Sequence, residues 1–222
     1  MVSRTLPAAR RLVNTPPYGP KCPVGSSARR RGKSRALGAA DGVAAALEAI
    51  RKDGIEAVAV EPLARKLRVT KGSFYWHFTD RDAWLTAALR RWEELETEAI
   101  IAGLACVDDP GERLKLLLMD ITDPSRDYGV ELALFRAGDH RLVRPVLRRV
   151  VARRMAYVEE CYRALGLTGA EARRRAFLAY TAYVGFLHLR PEAAKLLSSG
   201  EELAAFRQHV IDTLIAGPPK PG

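Results

Sequence analysis

The chain has 222 residues, 48% of them hydrophobic and 7% aromatic, with 36 Lys and Arg against 26 Asp and Glu and a formal net charge of +10. This allows one or two domains with a sizeable apolar core and excludes a wholly disordered chain. Beyond the N-terminal region, the longest run free of charged residues, Ala176 to Leu189, is shorter than the ~20 apolar residues a membrane-spanning helix needs, so no membrane partner is expected.

Positive charge is concentrated at the start, where residues 1–40 hold nine Lys or Arg and no acid, against 27 basic and 26 acidic residues in the rest. Residues 1–35, with five prolines and scattered Gly and Ser, have the composition of a flexible basic arm. Its run from Arg29 to Arg35 is either a solvated tail or a contact for nucleic-acid phosphates or a narrow minor groove.

From Asp41 onward the apolar residues recur at helical spacing, which predicts an all-α fold. Val43, Leu47 and Ile50 define a first helix that should stop at Gly54. A second, short helix begins near Glu61 and Pro62, and Arg68, Val69 and Thr70 connect it to a third, from Lys71 to about His77. Thr70 is placed to cap that third helix. Phe74 and Phe78, four apart, should turn inward, leaving Lys71, Gly72, Ser73, Tyr75, Trp76 and His77 on the outer and flanking faces. Asp80 or Thr79 then caps a longer helix carrying Trp84, Leu85, Ala88, Leu89 and Trp92 towards Gly103. Further helices are predicted over Pro110–Ile121, Val130–Ala137, Leu142–Leu165, Gly169–Leu189 and Glu201–Ile215.

Two helices joined by a short turn, the second short and bearing Lys, Ser, Tyr, Trp and His outward, are how many proteins place a helix in a DNA major groove. From Gly54 through VEPLARKLRVTKGSFYWHFTDRDAWLTAAL the sequence resembles the TetR family of transcriptional regulators, with the recognition-helix signature at Gly72, Ser73, Phe74, Tyr75, Trp76, His77 and Phe78. The resemblance covers about Ala39 to Leu89. It implies a helix-turn-helix DNA-binding domain at residues 36–85 and a helical effector-binding and dimerisation domain at 86–222.

It further implies that Tyr75 and His77 hold phosphates and that Arg81, opening the next helix, pairs with the DNA backbone. Chemistry agrees, because a phenol, an imidazole and a guanidinium all donate to phosphate oxygens. Thr70, with the free amides of Lys71 and Gly72, suits an anion, while Lys71 and Ser73 are candidates for reading base edges and Trp76 for the contact surface. Gly72 lets the backbone approach closely. Arg68 stands where glycine is usual; if the turn needs positive φ, a non-glycine residue costs on the order of 1 kcal/mol. Val60 stands where a Thr or Ser cap is common.

The helix over Ala176–Leu187 is apolar nearly all round, and Leu203, Phe206, Val210 and Leu214 form a second stripe. In the family the last two large helices build a four-helix dimer interface, which implies a homodimer on a palindromic double-stranded operator. Met119, Phe135 and Tyr157 are candidate contacts for an unidentified small-molecule effector that would release a repressor from DNA. A DNA-organising or scaffold protein with the same N-terminal domain and no effector is the alternative.

Nothing points to an enzyme or a cofactor. The four histidines are far apart, with no H-E-x-x-H and no glycine-rich phosphate loop. Asp120, Asp123 and Asp127 are the best acidic cluster and are read as a solvated loop in place of a metal site. Cys22, Cys106 and Cys161 form no C-x-x-C pair, so neither a disulfide framework nor a zinc knuckle is indicated and a cytoplasmic protein is expected.

Overall fold

Helical spacing becomes helix in every predicted segment. The computed structural model describes residues 38–123, 125–197 and 199–215, with the backbone alone at 191–194; the basic arm over residues 1–35 lies outside the described residues. The described residues form α1 (Ala39–Asp53), α2 (Val60–Leu67), α3 (Lys71–Tyr75), α4 (Arg81–Glu93), α5 (Ala99–Leu104), α6 (Pro110–Ile121), α7 (Gly129–Arg136), α8 (Val143–Ala164), α9 (Gly169–Leu196) and α10 (Gly200–Ile215). No strand occurs among them.

Local chemistry sets most of the ends. Gly54, at φ 83°, donates its amide to Ile50 O and closes α1. Thr70 Oγ1 accepts from the Ser73 amide at 3.2 Å and opens α3, and Asp80 Oδ1 accepts from the Ala83 amide at 2.7 Å and opens α4. Asp109 caps α6, with Pro110 in its first turn. No side chain caps α2, which starts at Val60 after Ala59; Glu61 in its first turn lies at the positive end of the helix dipole.

The turn from α2 to α3 is left-handed at Arg68, with φ 56° and ψ 41°, the one non-glycine residue at positive φ among those described. Arg68→Gly is expected to raise the unfolding free energy by about 0.5–1 kcal/mol, since relief of left-handed strain exceeds the entropy a glycine adds to the unfolded chain. Urea denaturation measures this, and a less stable variant would mean that the arginine side chain compensates for its own strain.

Two elements depart from the expected pattern. The helix predicted to run towards Gly103 is present, but α4 passes into α5 through a π-helical turn at Glu94–Glu98. There Arg154 Nη2 donates to Glu96 O and Arg154 Nε to Thr97 Oγ1, both at 3.0 Å, so a tertiary partner engages the wider turn. Helix α9 continues past Leu189 to Leu196. Arg190 donates to Asp123 O at 2.6 Å and Arg126 O at 2.7 Å, an anchor from a distant loop that local periodicity does not encode.

One apolar cluster runs from α1 to α8. It holds Ala46, Ile50 and Val58, then Leu63, Phe74 and Phe78, then Trp84, Leu85, Ala88 and Leu89, and reaches Leu134 of α7 and Val143, Leu147 and Val150 of α8. Position 85 therefore falls inside a shared core. The junction between α1 and α7 is tight, since a Cβ on Gly129 would come within 2.6 Å of Arg51 Cγ and 3.2 Å of Arg51 O. Arg51 also pairs with Asp127 at 3.1 Å. A second cluster of Leu104, Leu114, Tyr157, Cys161, Tyr162, Ala172 and Ala176 ties α5, α6, α8 and α9 together.

Candidate nucleic-acid interface and internal cavity

The short α3 is too brief to hold itself as a helix and relies on its aromatic inner face. The Phe74 ring lies 4.6 Å from that of Trp84 and 5.4 Å from that of Phe78, and Phe78 stacks on Trp84 at 5.8 Å. Trp84 Nε1 in turn donates to Gly42 O at 3.0 Å, where a Cβ on Gly42 would approach Phe78 Cε2 to 2.9 Å. Helices α1, α3 and α4 are thereby locked as one unit.

The opposite face of α3 is open. Lys71, Gly72, Tyr75 and His77 are exposed, Ser73 is half-buried and Trp76 is 85% exposed. An indole that far into water is a contact surface awaiting a partner more than a packing element. Lys71 is held by Glu61 of α2 in an exposed ion pair, and the ammonium keeps the Glu61 carboxyl below the usual carboxylate range. Arg81 is turned towards the segment between α1 and α2. Its Nε donates to Val58 O at 2.7 Å, and its Nη2 reaches Ile55 O at 3.0 Å and Glu56 at 2.8 Å.

Between α5, α6, α8 and α9 lies a cavity of about 100 Å³. Its walls are mostly apolar, with Ile100, Ile101, Leu114, Leu117, Leu118 and Val158 among them, but five Asp, Glu and Arg side chains also face it. Arg154 Nη1 donates to Glu131 Oε1 at 2.6 Å, with Glu131 only 3% exposed, and the guanidinium lies 5.6 Å over the Trp92 ring. Arg126 Nη2 donates to Glu96 at 2.6 Å, while its Nη1 stands 3.4 Å from Asp120. Burial raises the Glu96 and Asp120 carboxyls above their ordinary values against the pull of Arg126, and burial pushes the Tyr157 phenol up to about 12.

Residues 43–88 match the family model described as bacterial regulatory proteins, tetR family. This N-terminal segment belongs to the tetR family. The fold of the chain is shared with the reduced form of NemR from E. coli, at a TM-score of 0.64 and 17% identity over 82% of this chain and 99% of that one. A transcriptional regulator from Rhodococcus sp. Rha1 matches at 0.64 and 22% identity, over 81% of this chain and 94% of that one. A TetR-family regulator from Rhodococcus sp. matches at 0.56 and 21% identity, over 79% and 96% of the two chains. No curated protein matches it.

The residues singled out in the sequence are distributed unevenly. Thr70, Lys71, Gly72, Ser73, Tyr75, Trp76 and His77 are consecutive apart from buried Phe74, and Arg81 sits at the base of the same unit. Of the three effector candidates, Tyr157 lines the cavity. Met119 and Phe135 do not: Met119 is one residue on from inward-facing Leu118 and so points about 100° away, and Phe135 packs in the apolar cluster and against His188.

The acidic cluster also separates. Asp120 is not on a solvated loop, because α6 continues to Ile121 and its last turn carries Asp120 inward, to 7% exposure. Asp123 accepts from the Ser125 amide and Asp127 from the Gly129 amide, each at 2.8 Å, as local turn residues.

Sequence reasoning missed Arg154 and Glu131. A signal existed for the arginine: it continues the buried stripe of Val143, Leu147, Val150, Tyr157 and Cys161 at i, i+4 and i+7 spacing, where a charge is anomalous. Glu61 carried no such signal, since its pairing with Lys71 spans two helices.

Proposed function

We propose that this regulator is a homodimeric repressor that binds a palindromic operator through α3 and is released by a small molecule held in the cavity. The observation that carries the reading is the outward face of α3, where Lys71, Ser73, Tyr75, Trp76 and His77 stand on a helix fixed from behind by Phe74, Phe78 and Trp84. Tyr75 and His77 hold phosphates and set the register, Lys71 and Ser73 read base edges, and Trp76 widens the contact. Thr70 and Gly72 shape the close approach at the start of the helix. Arg81 meets the backbone with only part of its guanidinium, the rest being bound to the segment between α1 and α2. Glu61 must release Lys71 before a base can take it.

Dimerisation is assigned to α9 and α10. Leu178 and Leu189 on α9 are more than half exposed and lie within about 80° of Phe186 round the helix, and Phe186 stacks on Phe206 of α10 at 5.8 Å, which supports an apolar interface built from the two helices. Two recognition helices held about 34 Å apart then enter successive major grooves on one side of the duplex.

Release requires that the cavity and α3 share a moving part. Arg154 supplies it, bound at once to Glu131 on α7 and to the π-helical turn leading from α4, while α7 bears on α1 through Gly129 and Arg51. A DNA-organising protein without effector would have its C-terminal core filled, and the cavity favours the effector reading.

Selection of random duplexes by the purified protein, repeated over a salt series, tests the DNA assignment. A palindromic site is expected. With that site, Tyr75→Phe combined with His77→Ala should weaken binding on the order of 100-fold, from two hydrogen bonds to a charged acceptor at roughly 1.5 kcal/mol each. Unchanged affinity in the double variant would remove α3 as the recognition element.

A further inference from the structure

We infer that the cavity takes an uncharged, single-ring aromatic ligand bearing a hydroxyl, which donates its proton to Asp120 Oδ1. This rests on the reading of the cavity as the effector site and adds the chemical class of its occupant. Size comes first. Apolar cavities of roughly 150 Å³ take up benzene, so about 100 Å³ sets the scale at one ring after slight adjustment of the walls. Ile100, Ile101, Leu114, Leu117, Leu118 and Val158 supply apolar surface for its faces.

The polar requirement comes from atoms without partners. Asp120 is more than nine-tenths buried, yet its Oδ1 accepts no hydrogen bond and has only the Arg126 Nη1 charge 3.4 Å away. Two phenols on the same cavity also lack a well-formed hydrogen bond: the Tyr180 hydroxyl has the Arg154 guanidinium near it, and the Tyr157 hydroxyl has the Cys161 thiol, a weak partner. Buried polar atoms left unpaired are costly, and a ligand hydroxyl that donates to the carboxylate and accepts from a tyrosine removes that cost at two places.

Charge decides the class. Three carboxylates, Glu96, Asp120 and Glu131, face the cavity with two guanidiniums, and both guanidiniums are already ion-paired: Arg154 with Glu131, and Arg126 with Glu96 and Asp120, although Arg126 Nε makes no hydrogen bond. An anionic ligand could accept a hydrogen bond from Arg126 Nε but finds no guanidinium without a carboxylate partner and is repelled by Asp120. A cationic ligand must displace Arg126 from Asp120 and bury a third positive charge among desolvated ones. A neutral hydroxyl carries neither burden.

The test is isothermal titration of the full-length protein with four single-ring probes, phenol, toluene, benzoate and benzylammonium, and with methyl phenyl ketone and ethylbenzene as neutral controls for the size of the two charged ones. Saturable binding of phenol is expected, about tenfold tighter than toluene, with benzoate and benzylammonium weaker than either. Asp120→Leu should collapse the phenol preference over toluene. Should that variant not fold, Val158→Phe, which fills the cavity and leaves every polar atom in place, should abolish phenol binding. Tighter binding of benzoate or benzylammonium than of phenol, equal binding of phenol and toluene, or phenol binding that survives Val158→Phe would each overturn the assignment. The effector reading is separated by adding each probe to the protein on its selected DNA. A charged probe that binds and releases DNA keeps the effector reading and sinks this ligand class, whereas phenol that binds without releasing DNA does the reverse.

Discussion

Replacing Arg154 with leucine is expected to lower the unfolding free energy by about 3–5 kcal/mol, because it strands Glu131 as an uncompensated buried charge. The guanidinium satisfies Glu131, Thr97 Oγ1 and Glu96 O at once, from three directions of its planar fork, and lies over Trp92. A lysine in its place cannot reach all three. Removing both charges, Arg154→Leu with Glu131→Leu, should recover a large part of the loss, since a well-packed apolar pair costs less than a lone buried carboxylate. Urea unfolding of the two single variants and the double variant closes the cycle. Additive losses would mean that the two side chains act independently and that Arg154 is not the hub described here. Because the arginine also holds the π-helical turn, the single variant should weaken the coupling of cavity to DNA even where it still folds.

Trp84→Ala is expected to cost about 3–5 kcal/mol and to abolish operator binding with it. The indole is 1% exposed, contacts both Phe74 and Phe78, and donates to Gly42 O. Its loss leaves a cavity directly behind α3 and removes a hydrogen bond from α4 to the backbone of α1. A five-residue helix has no independent stability, so its orientation decays with its support. Trp84→Phe should retain most of the packing, and the comparison of the two by thermal unfolding and DNA titration separates the loss of volume from loss of the hydrogen bond. Operator binding undiminished in Trp84→Ala would show that α3 is held by something other than this aromatic cluster.

How much was legible beforehand varied with the range of the interaction involved. Thr70 and Asp80 as caps and Gly54 as a stop act over three or four residues, and each is where the pattern placed it. Phe74 and Phe78 declare their inward face by spacing alone. The seven residues from Thr70 to His77 that form the candidate interface follow one another, so a linear motif describes them almost completely. The cavity is different in kind, because its lining comes from Glu96, Asp120, Glu131, Arg154 and Tyr180, each on a different element. Of its residues only Tyr157 is an effector candidate from sequence; Met119 and Phe135 lie in apolar stretches whose rotation about the helix axis periodicity leaves open by a residue. Arg154 breaks an otherwise apolar stripe, which is a signal in the sequence; Asp120 turns inward because it lies in the last turn of α6, where the rotation of the helix against its neighbours decides which side is buried.

The sequence by itself determined that this protein is all-helical, where most of its helices begin and end, and that a helix-turn-helix of the TetR family lies near its start. These are consequences of hydrogen bonds and side-chain periodicities confined to a few neighbouring residues. Only the tertiary structure decided that Arg81 leans on the segment before α2, that Lys71 is paired with Glu61, that α4 opens into a π-helical turn, and that a small cavity holds an unsatisfied carboxylate. Each depends on how helices distant in sequence are rotated and set against one another, and that arrangement is fixed by the packing of many side chains together and by no local pattern.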